Sequence, residues 1–428
     1  MARFLLCLWD GGGSVPPTLD VAAALTRRGH DVRVLADPVL RPDVEASGAA
    51  FVAWTTAPHR DDHTPASEFI RDWEPRTPMG GLARIRDRLV TGPAARFAAD
   101  VRAELRQRPA DVVAPELLLL GAGVGAQAAG VPVCVLSTTI HVVPTPGVPP
   151  FGPGFLPAKG PLGRARDRAF AAVGAALWNR GLPALNAARA ANGLAPLGDV
   201  FDQLRSADRT LVLSSAAFDF AAHRTPPGVI HTGPRINDPV WAEAWTPPPG
   251  DAPLVLVAMS STNQDHATTL RRVIAGLGRL PVRGLVTTGP ELDPSQLDPP
   301  PNVTVVRSAP HAAVLAHAAA AITHGGHGSV AKALAAGVPQ VCIPISRDQP
   351  DVAARLVAAG AGVRLQPWTA SPRAVARAVT KVLEDPVYRH NAQRQATAIA
   401  AERTGDRAVT ELEALAAQAD PDSGAGSA

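Results

Sequence analysis

Cysteine is scarce in this chain, and the three present have no spacing that suits a metal or a redox pair. Cys7, Cys134 and Cys342 lie far apart, each in an apolar run that reads as a strand. Free buried thiols in a reducing compartment are the expectation. An excess of one charge is also missing. Lysine and arginine number 41 against 38 aspartates and glutamates, a formal balance of +3, and they are interspersed without a long basic run. A nucleic-acid or anionic-membrane surface is therefore not expected. Long apolar runs are absent as well. The opening "MARFLLCLWD" stops at Asp10, too short for a signal segment, and no small-residue cleavage site follows. The one tempting membrane span, Leu117 to Ile140, is broken by Gln127, Pro132 and several glycines. It reads as two core elements joined by a turn, and a soluble, cytoplasmic protein is expected.

What the chain does have is apolar content and rhythm. It is 46% hydrophobic over 428 residues, enough for about two domains of ordinary size. The first half alternates strands at Phe4–Trp9, Asp31–Leu35, Ala50–Trp54, Asp111–Ala114 and Val133–Leu136 with helices near Val15–Arg28, Leu82–Arg106 and Ala165–Asn192. Such alternation implies parallel sheets wrapped by helices. The proline-rich stretch 231–250 reads as a linker. The rhythm then restarts with strands at Leu254–Ala258, Gly284–Thr287, Val303–Val306, Ala319–Thr323 and Gln340–Ile343, and with helices near His266–Arg279 and Ser329–Ala336. The tail 419–428 lacks apolar residues and is expected to be disordered. In open parallel sheets ligands sit at the carboxyl ends of strands. A cleft between two such domains could hold a donor on one side and an acceptor on the other.

"ITHGGHGSV", Ile322 to Val330, joins a strand to a helix. Its glycines permit close backbone approach, Ser329 reads as an N-cap, and a helix N-terminus favours an anion. Metal binding by His324 and His327 would need further ligands, with Cys342 and Asp348 the nearby candidates. No Gly-Lys-Ser/Thr follows, so this is not a Walker loop. The glycine cluster "GAGVGAQAAG" at 121–130 reads as close helix packing. Asp348 and Gln349 follow a strand end beside the loop, where they could bind sugar hydroxyls. Asp348 could equally cap the next helix, with Pro350 in its first turn.

The stretch from Ser308 to Val363, together with "SSAAFDFAAHRTPPGVIHTGP" at 214–234, resembles the family 1 glycosyltransferases. More narrowly, it resembles their bacterial branch that decorates antibiotics and other natural products. The resemblance implies an α/β GT-B fold, two doubly wound Rossmann-like domains facing a central cleft. It implies an acceptor domain over 1–230 and a nucleotide-sugar domain over 251–418, with the last helix crossing back to the first. It also implies inversion without a metal or other cofactor. By the same resemblance Ser261, His324, Gly326, His327, Gly328 and Ser329 hold the diphosphate. Ser308 and Ala309 lie at the nucleobase, without the tryptophan often found there, and Asp348 and Gln349 hold the donor sugar. His327 falls at a variable position of the motif.

The family usually carries a histidine base at the start of its first helix. Here "WDGGGSVPPTL" puts Ser14 at that place, and a neutral hydroxyl is a poor base whose plain role is an N-cap. Asp10 and Glu116, each at a strand end, are the first and second candidates for the base. Asp10 could equally serve the turn formed with the following glycines. His59, His63 and His141 fall in acceptor-side loops. Trp9, Trp54, Trp73, Phe69, Phe151 and Phe155 lie in the first half; Trp9 and Trp54 read as core. The segment 141–155 reads as a pocket wall, with His59, Trp73, His141 and Phe151 the acceptor contacts. The expectation is transfer of a sugar from a dTDP- or UDP-sugar to a small aromatic or polyketide-like acceptor, O- or C-linked. A phenol, with a pKa near 10, would need less help from a base than an alkyl alcohol. The competing expectations are a catalytically weak partner or nucleotide-sugar-binding protein, and a GT-B epimerase or hydrolase. A monomer and a homodimer are both compatible with the sequence.

Overall fold

The structure is a computed structural model that describes residues 1–419 apart from 65, 76, 224, 239–244, 248, 260–266 and 290–291. In the first half β1 (Arg3–Cys7), α1 (Val15–Arg27), β2 (Asp31–Ala36), α2 (Arg41–Ala46) and β3 (Ala50–Ala53) come first. Then follow α3 (Pro78–Ile85), α4 (Ala94–Gln107), β4 (Val112–Pro115), α5 (Leu120–Ala128) and β5 (Cys134–Ser137). The half ends with α6 (Gly160–Asn179), α7 (Leu182–Ala191), α8 (Asp202–Arg205), β6 (Arg209–Val212) and β7 (Val229–His231). The second half holds β8 (Leu254–Ala258), α9 (Ala267–Leu277), β9 (Arg283–Thr287), β10 (Val303–Val306), α10 (His311–Leu315), β11 (Ala318–Thr323) and α11 (His327–Ala335). It continues through β12 (Gln340–Cys342), α12 (Gln349–Ala358), β13 (Gly362–Arg364), α13 (Pro372–Glu384), α14 (Pro386–Arg403) and α15 (Arg407–Ala419).

Both halves repeat one plan. The first-half strands run β3-β2-β1-β4, and parallel bridges Val113–Val133 and Glu116–Leu136 carry the order on into β5-β6-β7. The second half runs β10-β9-β8-β11-β12-β13, and its ladders are parallel throughout. Each sheet therefore reverses direction beside its own first strand. The reversal leaves a crevice past the carboxyl ends, where doubly wound sheets bind ligands. Trp9, Asp10 and Glu116 follow the strands flanking the first crevice. Met259 and His324 follow those flanking the second.

The elements differ from the sequence expectation where helices break. The single helix expected over 82–106 is α3, a π-turn at Arg86–Val90, and α4; Gly92 and Pro93 separate the parts. The one expected over 165–192 is α6 and α7, parted at Gly181, where any side chain would strike Thr91. The stretch 117–140 becomes α5 and β5, as its interruptions implied. Gly121 and Gly125 of α5 lie against the Ala94 and Ala98 backbone of α4, too close for a Cβ. β7 extends the first sheet to residue 231, so the expected linker starts inside a strand. The expected tail lies, but for Ala419, outside the described residues. Among the described residues no helix is long and apolar enough to cross a membrane. All three cysteines are free and buried.

The last helix returns to the first half. Ala408, Val409, Leu412, Leu415 and Ala416 of α15 are buried in one cluster with Phe4, Leu6 and Leu25. Glu413 meets both Arg28 (2.7 Å) and His30 (2.9 Å), and Glu411 meets Arg209 (2.7 Å). This crossing fixes one half on the other by apolar burial, with ion pairs at its edge. Leu412→Ala should lower the stability of the whole chain by about 2–5 kcal/mol, the usual range for a fully buried leucine, read by chemical denaturation. A loss below about 1 kcal/mol would mean that the crossing carries little of the fold.

Candidate functional site

One cleft of about 2800 Å³ lies between the halves and is lined from both. On the second-half side β11 ends at Thr323 and α11 begins at His327, with Gly326 rather than Ser329 at the N-cap. Gly325 takes a φ of +87°, and a side chain there would meet the Cys342 sulfur. With Gly326 as cap, the amides of His327, Gly328 and Ser329 have no partner within the helix. The first closing bond is from Val330 to the Gly326 carbonyl (3.1 Å). The His324 ring packs on Gly326 so closely that a Cβ would displace it, and its Nδ1 lies 3.4 Å from the Ala258 carbonyl. His324, Gly326, Gly328 and Ser329 all line the cleft.

His327 is corrected by this geometry. Its side chain is buried, with Nε2 2.9 Å from the Ser214 hydroxyl of the first half. Burial pushes its pKa down to about 4. Its imidazole bridges the halves in its favoured neutral form, although His327 also lines the cleft. His324 and His327 thus point to different partners. Among the described residues no cluster of three or more histidine, cysteine, aspartate or glutamate side chains could hold a metal. Ser261 lies outside the described residues. Ser308 and Ala309 line the cleft past the end of β10.

The sugar-side pair is held by its own neighbours. Asp348 occupies the N-cap position of α12 but makes no cap bond. Its Oδ2 instead accepts from Thr139 of the first half at 2.5 Å, and burial raises its pKa. Gln349 is buried, and its Oε1 accepts from the amides of Ile345 (2.8 Å) and Ser346 (3.0 Å), bracing the loop. Beside them Arg347, at a φ of +57°, makes two bonds to Asp72 (2.8 and 3.0 Å). Deeper in, burial opposes the charge of Asp219, but His231, Arg355 and the amide of His141 hold its carboxyl below the usual range.

Across the cleft α1 begins after Ser14. Positions N2 and N3 of this helix are Pro16 and Pro17, which have no N–H, and Val15 already donates to Gly12 (3.2 Å). Ser14 takes the N-cap position, as expected, but its side chain has nothing to cap, and its hydroxyl is buried without a partner. Asp10 is buried, with Oδ2 accepting from Arg60 at 2.8 Å and lying 3.5 Å from His63 Nδ1. Its amide donates to Asp37, which burial pushes up to about 8. Glu116 is buried, and its Oε2 accepts from the Trp9 indole N–H (3.0 Å) and the Leu118 amide (2.9 Å). Both bonds fall on one oxygen, Oε2, and Glu116 lines the cleft. Burial raises its pKa to about 7, a value suited to taking a proton near neutrality.

Of the acceptor-side residues, Trp73, His141 and Phe151 line the cleft, as does His63. Burial pushes His141 down to about 4, and its Nε2 meets Thr145. His59 is not among the lining residues; its Nδ1 lies 2.8 Å from the Ala57 carbonyl. Trp54 is buried edge-on against Phe97, and Phe155 likewise meets Phe170 edge-on. Trp9 does more than fill a core, since it lines the cleft and anchors Glu116. Arg60, Asp72 and Thr139 had no local signal in the sequence.

Residues 271–415 match the family model described as the C-terminal domain of erythromycin biosynthesis protein CIII-like proteins. Across the whole chain, 4'-demethylrebeccamycin synthase of Lentzea aerocolonigenes is 32% identical over 409 residues, covering 92% of this chain and 94% of that protein. UDP-glycosyltransferase 2 of Phaeomoniella chlamydospora is 28% identical over 428 residues, covering 89% and 88%. In fold, the calicheamicin glycosyltransferase CalG4 superposes with a TM-score of 0.78 at 23% identity, over 98% of this chain and all of that one. The glycosyltransferase VinC in complex with dTDP gives 0.68 at 19%, over 97% and 100%.

The Glu116 environment sets a pH test. Its folded pKa of about 7 exceeds the ordinary 4.5, so the folded state holds the proton more tightly. The stability this lends is complete below pH 4.5 and is lost as pH rises through 7. Relative to Glu116→Gln, the wild-type chain should lose on the order of 3 kcal/mol between pH 4.5 and 8, measured by denaturation at both values. A gap that stays constant with pH would show the carboxyl to be ordinary.

Proposed function

The chain is a member of family 1 of the glycosyltransferases, in the branch that includes the bacterial antibiotic enzymes, and from that premise we propose the reaction it performs. It moves a sugar from a dTDP- or UDP-sugar to a small aromatic or polyketide-like acceptor, with inversion and without a metal. The observation that carries this reading is the pairing across one cleft of a donor-rich loop with a buried carboxyl. Three amides without a partner in their helix and His324 line the same cleft as Glu116 and Asp10.

On the donor side the amides of His327, Gly328 and Ser329, with the His324 imidazole, take the diphosphate oxygens. As the bond to the anomeric carbon breaks, charge grows on the diphosphate, and fixed donors stabilise it without reorganising. Ser308 and Ala309 flank the base. Asp348, braced by Thr139, and Gln349 hold the sugar. On the acceptor side Trp73, His141 and Phe151 contact the acceptor body. Glu116 takes the proton from the attacking group through Oε1, while Trp9 and Leu118 fix the other oxygen. Asp10 stands second for this role, because its Oδ2 already accepts from Arg60. A carboxylate is a mild base, so a phenol or an activated aromatic ring is the suited acceptor. Ser14, where a histidine base is usual, favours the second reading: a nucleotide-sugar-binding relative with weak catalysis.

One set of measurements tests both readings. UDP- and dTDP-sugars are incubated with phenolic and polyketide-like acceptors, and the product's anomeric configuration is read by NMR. Glu116→Gln should lower kcat by about 10²–10⁴ while nucleotide affinity stays unchanged. His324→Ala should weaken nucleotide binding by about 10–100-fold, as loss of a charge-assisted hydrogen bond does. Full rate in Glu116→Gln with a loss in Asp10→Asn would move the role to Asp10. Nucleotide binding with no transfer to any acceptor would favour the binding protein.

A further inference from the structure

Of the tryptophans among the described residues, only Trp368 is exposed, at 77%. It belongs to the second half and lines the cleft, as do Arg364 and Gln366 of the same segment. The exit of β13 explains this. Val363 and Leu365 pack on the second-half core, so Arg364 and Gln366 turn the other way. Gln366 is still extended, with φ −79° and ψ 141°, and a single turn over Pro367–Thr369 then carries Trp368. That turn is well held. Thr369 donates to the Gln366 carbonyl from its amide (3.0 Å) and from its hydroxyl (3.1 Å). Arg272 of α9 reaches the Pro367 carbonyl at 3.4 Å, and Ala370 is buried. The backbone is anchored while the indole lies open.

These three side chains suit one class of ligand. A pyranose ring has an apolar face of C–H groups and a rim of hydroxyls. An indole can cover the face, and an amide and a guanidinium can bond the rim. Among the described residues neither Gln366 nor Trp368 makes a side-chain hydrogen bond. Arg364 uses an N–H on the Gly154 carbonyl of the first half (2.8 Å), which leaves it further donors. A flat apolar molecule would stack on the indole and leave both polar groups unused. The sheet order gives the place. Ser308 and Ala309 follow β10, the anion loop follows β11, and Asp348 and Gln349 follow β12. β13 is next in the sheet, about 4.8 Å further on. Its exit therefore lies one station past the pair assigned to the donor sugar, where the second half meets the 141–155 wall of the first.

We propose that Trp368, Gln366 and Arg364 form a subsite for a pyranose ring beyond Asp348 and Gln349. The indole stacks on the C–H face of the ring, while Gln366 and Arg364 bond its hydroxyls. The ring is either one already attached to the acceptor or the outer part of the donor's own sugar. The role of its occupant rests on the glycosyltransferase reading, whereas the ligand class rests on the three side chains.

The probes are the methyl glycosides of glucose, mannose and rhamnose, followed by saturation-transfer difference NMR on the full chain. At least one should take up saturation at its ring C–H protons. Trp368→Ala should weaken that binding on the order of fivefold or more, and Trp368→Phe, which keeps an aromatic face, should restore most of it. The side chain is exposed, so both variants should keep their melting temperature. No saturation of any glycoside, or equal saturation in Trp368→Ala, overturns the proposal. So does a Trp368-dependent signal from p-cresol with none from the glycosides, which means an aromatic surface. Repeating the titration with UDP-glucose or dTDP-glucose present separates the sources. A Trp368-dependent signal that persists assigns the ring to the acceptor. One displaced by the sugar nucleotides, but not by UDP or dTDP alone, assigns it to the donor. Calorimetry of UDP and dTDP on the same samples keeps the two claims apart. Absent uptake would sink the donor reading and leave the glycoside result standing.

Discussion

A helix that starts at a glycine leaves its first amides without partners, and the donor side of this molecule is built on that deficit. At α11 the unpaired amides of residues 327–329 open onto the cleft, and their dipoles point the same way. The same crevice in the first half carries the start of α1, where the deficit has been removed. Pro16 and Pro17 have no N–H, and Val15 is satisfied by Gly12. Two copies of one topology thus present opposite faces to one cavity. One face supplies donors for an anion. The other supplies acceptors, Asp10 and Glu116, and no backbone donor from its helix. A nucleotide has one suitable side, and a group that must lose a proton has the other.

That polarity has meaning only if the halves stay in register, and the contacts across the cleft ensure it. Thr139 meets Asp348, Ser214 meets His327, Asp72 meets Arg347, and Gly152 donates to Asp351 at 2.8 Å. Most of the second-half members lie on α11 or on the turn into α12, the segments next to the proposed donor. Movement between the halves would therefore disturb the donor loop first. The crossing of α15 is different. It buries leucine and valine far from the cleft and sets the halves' relation by area rather than by geometry. Apolar burial fixes proximity, while the short polar contacts fix orientation.

The parts that could be read from sequence are those whose causes are local. The anion loop needs a strand end, glycines and a helix start within nine residues, and 322–330 holds all three. Asp10 and Glu116 were legible as strand ends because the alternation of strands and helices set the sheets. What was not legible depends on helix phase or on distant pairs. With the start of α11 at His327 and not Ser329, one imidazole reaches Ser214 of the other half. Trp9 and Glu116 are 107 residues apart, and Arg347 and Asp72 are 275 apart. No window of sequence connects such pairs. Gly181 broke a helix for a tertiary reason, since a side chain there would strike Thr91, whereas at Gly92 it would strike the Asp87 carbonyl of the preceding turn.

The serine at position 14 fits this arrangement once the prolines are considered with it. A hydroxyl there would normally cap the helix, and Pro16 and Pro17 deny it that use. A base at the helix start would also approach the acceptor from α1. Glu116 approaches from the end of β4, beneath the Trp9 indole. In the proposed reaction the proton leaves toward a buried carboxyl whose neutral form is already favoured by its surroundings, so accepting it relieves the cost of holding a charge away from water. Such a base gains most when the acceptor's proton is itself loosely held.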